Sequence, residues 1–126
     1  MTTIKETIEW LHGADPLTAP GVESQARRLL LDTIGGMIGG LAKPEPANLA
    51  RSLASLDEGA VRLPGSEAHL TTLSAAYISG IAACWDEACE GLARAHGRPG
   101  LHAFAATLPL ALSIRVAKTL IGVLSK

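Results

Sequence analysis

Residues Ala75–Leu112 read AAYISGIAACWDEACEGLARAHGRPGLHAFAATLPLAL, two apolar segments on either side of a polar loop. The first segment is built from small residues, Ala75, Ala76, Ser79, Gly80, Ala82 and Ala83, and the spacing predicts a helix ending near Cys84 or Trp85, capped by Thr72 or Ser74. The loop carries Asp86, Glu87, Cys89, Glu90, Arg94, His96 and Arg98. Pro99-Gly100 then reopens a helix, expected over about Leu101 to Leu124, with His102 near its start. Pro109 falls inside it, so a kink is expected near Ala105 to Leu108, because proline has no N–H for the preceding turn. No other part of the chain gathers so many ionisable side chains between two apolar helices.

Working outward, the 126 residues suit one domain, 1–126, long enough to bury a core. Hydrophobic residues make up 48% but aromatics only 3%, so that core must come from Ala, Leu and Ile, which favours closely packed helices. Upstream, Val22 to Ala42 reads as one long helix despite Gly35, Gly36, Gly39 and Gly40, each costing roughly 1 kcal/mol against alanine. Their helical spacing lets another helix backbone approach closely. Thr3 and Glu6 have the spacing of a capping box, and a helix over Ile4 to His12 with Ile4, Ile8 and Leu11 on one face is expected to dock on the main body. Lys43-Pro44-Glu45-Pro46 is read as a break before a helix over Ala47 to Leu56, and Ala60 to Leu63 as a short extended piece. The expected architecture is all-α, a single compact domain of about five helices.

A net charge of −1 without a basic run offers no footprint for nucleic acid. The longest apolar run, Leu101 to Ile114, is too short for a bilayer, so no membrane span is expected. Lys5, Glu6 and Glu9 interrupt the place where an export signal would be apolar. With two cysteines, Cys84 and Cys89, and no sign of a disulfide scaffold, the expected setting is reduced and cytoplasmic.

The loop supports three readings. One is acid–base chemistry on a carboxylic acid: a carboxylate or imidazole removes a proton beside a carboxyl group while Arg94 and Arg98 clamp the substrate's carboxylates. A second is zinc held by Cys84, Cys89, His96 and His102, whose intervals fall off the common ones. The third is a solvated connection without chemistry.

The pattern from Ala76 through Glu87, the run RAHGRPGLH from Arg94 to His102, and the segment Ala26 to Gly40 resemble the MmgE/PrpD family, which includes 2-methylcitrate dehydratase, cis-aconitate decarboxylase and iminodisuccinate epimerase. The resemblance covers about residues 24–112. It implies a helical domain related to the first part of that family's, and a lyase or isomerase without cofactor or metal that acts on di- or tricarboxylic acids. It implies that Asp86 lines the site and that a histidine of the following loop joins it. The family's His-Pro pair reads Arg98-Pro99 here, which leaves His96 or His102 for that role. The expected site is therefore Asp86, His96 and His102 for proton transfer, with Arg94, Arg98 and Glu87 on the substrate. Members of the family are several times longer, and later helices and an α+β domain close their site. Self-association as a homodimer or larger assembly is thus expected, the alternative to catalysis being a helical subunit or truncated relic that completes a partner chain.

Overall fold

The computed structural model describes residues 3–13, 18–88 and 97–124. Its elements are helices α1 (Ile4–Gly13), α2 (Val22–Leu41) and α3 (Pro44–Leu56), a strand β1 (Glu58–Val61), and helices α4 (Thr72–Cys84) and α5 (Pro99–Leu124). The architecture is all-α. Leu70 bridges antiparallel to Glu58 and Val61, and no sheet forms among the described residues.

α4 is the centre of the packing and touches α2, α3, α5 and β1. Its Ala75, Ile78, Ser79, Ala82 and Ala83 are buried with Met37 and Leu41 of α2, Ala50 of α3, Val61, Leu63, Leu70 and Leu101. Small side chains on α4 let its neighbours come close, and the glycines of α2 complete the fit. A methyl on Gly36 would sit 2.9 Å from the carbonyl oxygen of Ala83, and one on Gly40 would run into that of Ala82. Gly35 and Gly39 have nothing within 4 Å and leave the other side of α2 open. One pair of glycines therefore makes the helix contact, and the other pair does not.

Pro109 lies fully buried inside α5, whose helix is unbroken around it. The proline removes the N–H that would bond the carbonyl of Ala105 one turn earlier. The Ser79 hydroxyl takes that place, donating to the Ala105 oxygen at 2.5 Å in the buried α4–α5 contact. The same hydroxyl lies 3.0 Å from the Ala76 carbonyl of its own helix.

Several boundaries differ from expectation. α3 starts at Pro44, because prolines in the first turn lack only N–H groups that have no helical partner there. Thr71, one residue before the expected caps, accepts from the Ser74 N–H at 3.2 Å. The strand begins at Glu58, and α5 begins at Pro99. α1 has its capping box: the Thr3 N–H donates to Glu6 at 2.7 Å, and the Glu6 N–H donates to Thr3 Oγ1 at 3.3 Å. These bonds hold the Glu6 carboxyl below its ordinary range, the backbone bond most. The expected docking of α1 is not seen. Ile4, Ile8 and Trp10 are exposed, and α1 contacts no other element among the described residues.

Candidate functional site

Two stripes of side chains face each other across the α4–α5 contact. On α4, Tyr77, Gly80, Ile81 and Cys84 recur at three- and four-residue intervals; on α5 and the residue before it, Arg98, Leu101, His102 and Ala105 do the same. With Ala76, Gly97 and Ala106 they line an open groove of about 670 Å³. Arg98 immediately precedes α5, and its carbonyl accepts the His102 N–H at 3.2 Å, which places the guanidinium and the imidazole one helical turn apart. The N-terminal end of a long helix adds positive potential to that mouth. Leu101 and Ala105 are buried in its floor, Arg98 and Cys84 are half-buried, and Tyr77 and His102 are exposed. The Cys84 thiol donates to the Gly80 carbonyl at 3.1 Å.

Asp86 stands elsewhere. It lies just past the end of α4 and lines a smaller groove of about 310 Å³ with Asp32, Gly35, Gly36, Gly39, Ala83 and Ala88. Its Oδ2 pairs with Nζ of Lys43 at 3.3 Å, both side chains being about half exposed. No residue lines both grooves, although the consecutive residues Ala83 and Cys84 line one each. Glu87 is exposed and has φ of 53°, in the left-handed region that non-glycine residues seldom adopt, so the chain turns sharply where it leaves α4.

Of the residues expected at the site, Arg98 and His102 are brought together, and Asp86 and Glu87 are described but do not line their groove. Arg94 and His96 lie outside the described residues, as does Cys89. Among the described residues no three His, Cys, Asp or Glu side chains converge on a point where a metal ion could sit.

Two residues enter only through the structure. Tyr77 carried a usable signal, since it stands one and two turns from Ile81 and Cys84 on one face of α4. Lys43 carried none, because only the tertiary fold brings the α2–α3 junction to the end of α4. Compared with known proteins, the chain matches no family model, no curated protein and no solved structure.

Proposed function

We propose that the chain carries out acid–base chemistry on a small di- or tricarboxylic acid held in the α4–α5 groove, as a cofactor-independent lyase or isomerase of the dehydratase, decarboxylase or epimerase type. The observation that carries this reading is the placing of Arg98 and His102 one turn apart over a groove with an apolar floor. Arg98 offers a planar fork of N–H donors that a carboxylate accepts in pairs. His102 is the proton-transfer group. It takes the proton beside the anchored carboxylate, and the electron pair left behind expels a hydroxyl or is protonated again. The resemblance of Ala76–Glu87 and Arg94–His102 to the MmgE/PrpD family supports the same chemistry. Asp86, which lines the separate groove beside α2, is the second proton-transfer group of this reading. Arg94, His96 and Glu87 complete the proposed set. A reduced, cytoplasmic setting goes with it.

A second reading has its own observation. Ile4, Trp10, Leu31, Leu56 and Leu73, spread over four helices, are all more than 60% exposed, apolar side chains that a partner surface would cover. On this reading the chain is a helical subunit that self-associates or completes the site of a partner chain. No helix among the described residues is long and apolar enough to span a membrane.

The test is NMR of citrate-like and succinate-like acids in D2O with the purified chain. Deuterium uptake or product formation that falls by roughly 10²–10⁴-fold in His102→Gln is expected, with Asp86→Asn also impaired. No exchange with any acid, together with concentration-dependent association in the ultracentrifuge, would replace the enzyme reading with the subunit reading.

A further inference from the structure

The α4–α5 groove holds a thiol that the proposed proton transfer does not use. Cys84 lines it beside Arg98, His102 and Tyr77, and its half-buried side chain stands on the α4 wall opposite Arg98 and His102. The thiol packs against the core and donates to the Gly80 carbonyl, yet it also lines the groove. It shares an open cavity with a guanidinium, an imidazole and the positive end of a helix, groups that gather anionic ligands.

We propose that this groove is a covalent capture site for α,β-unsaturated carboxylic acids, with Cys84 as the nucleophile and Arg98 as the carboxylate anchor. The inference rests on the proposed carboxylate-binding role of the groove and adds a reaction to it. The thiolate sulfur forms a bond to the β-carbon, the carbon–carbon π bond breaks, and its electron pair moves to the α-carbon beside the carboxylate. The proton given up by the thiol ends on that α-carbon. The net change is addition of S–H across the double bond, with no oxidant, reductant or leaving group. A guanidinium on the carboxylate favours the step twice: it holds the acid in place, and it stabilises the negative charge that builds up toward the carboxylate during the addition. An unsaturated acid is also what elimination of water from a hydroxy acid yields, so the proposed activity would make its own capturing agent.

Intact-protein mass spectrometry after incubation with fumarate tests this, with fragmentation separating Cys84 from Cys89. One adduct per chain at Cys84, absent in Cys84→Ser, is expected. Arg98→Gln should slow capture of fumarate by about tenfold, the value of one charged hydrogen bond, and leave labelling by neutral acrylamide unchanged. Equal slowing with both reagents, or no fumarate adduct at Cys84, overturns the proposal. Succinate, which cannot add, separates the two readings. If it protects Cys84 from acrylamide while fumarate leaves no adduct, the groove binds carboxylates and only the covalent step is refuted. If succinate does not protect and fumarate does not add, both readings fail.

Discussion

The hydrogen bond from Ser79 to Ala105 makes a sharp test of how α4 and α5 are joined. Pro109 leaves the Ala105 carbonyl without its helical donor, Ala105 and Ser79 are both buried, and the Ser79 hydroxyl donates to that oxygen at 2.5 Å. Ser79→Ala removes the donor and leaves a buried carbonyl unsatisfied, which costs about 1–3 kcal/mol. Alanine's better helix propensity offsets about 0.5 kcal/mol of that. The net loss is about 0.5–2.5 kcal/mol, and at roughly 3–5 °C per kcal/mol for a chain of this size Tm should fall by about 2–12 °C. Pro109→Ala supplies a new N–H one turn from Ala105, so in that background Ser79→Ala should cost no more than about 0.5 kcal/mol, leaving a coupling energy near 1 kcal/mol. Urea unfolding of the four proteins, followed by far-UV circular dichroism, measures each corner of the cycle. Equal costs of Ser79→Ala in both backgrounds would falsify the idea that the serine replaces the donor lost to the proline.

Further outcomes follow from the helix contacts and caps. Gly39→Ala, with nothing within 4 Å of the new methyl, should raise stability by about 0.5–1 kcal/mol, whereas Gly40→Ala pushes a methyl into the Ala82 carbonyl and should lower it by about 2 kcal/mol or more; urea midpoints of opposite sign check the pair. Thr71→Ala removes the cap of α4 and should cost about 1 kcal/mol, with Thr71→Ser retaining most of it by the same measurement. Acid should fray the start of α1. Because the folded Glu6 carboxyl is held low by its bonds to Thr3, its contribution is fully present above the ordinary carboxylate range and is lost as pH falls through the lowered value. Amide exchange of α1 followed across that range, with Thr3→Ala as a control that has no such step, reports it.

Local patterns in the chain were good guides to the helices and poor guides to their contacts. The capping box of Thr3 and Glu6 was legible because both partners lie within one turn, and α2 was legible because its apolar residues keep a helical period through four glycines. The start of α3 was misjudged where prolines were read as a break, although a helix tolerates them in its first turn. The docking of α1 was inferred from an apolar stripe, and a stripe does not name its partner. At the candidate site, Arg98 and His102 fall one turn apart because α5 starts at Pro99, earlier than the expected Leu101. The placing of Asp86 beside Lys43, across from the open glycines of α2, was not legible in the sequence, since no short-range pattern relates those segments.

The amino-acid sequence by itself determined that the chain is helical, where most helices lie, and which ionisable residues crowd between α4 and α5, because propensity, capping and periodicity act over a few residues. Only the tertiary structure decided which two glycines of α2 meet α4, that Ser79 answers for Pro109, and that Cys84 and Tyr77 share a groove with Arg98 and His102 while Asp86 faces another. Those outcomes depend on how α4 is rotated between α2 and α5, and that rotation is set by close packing of many side chains at once.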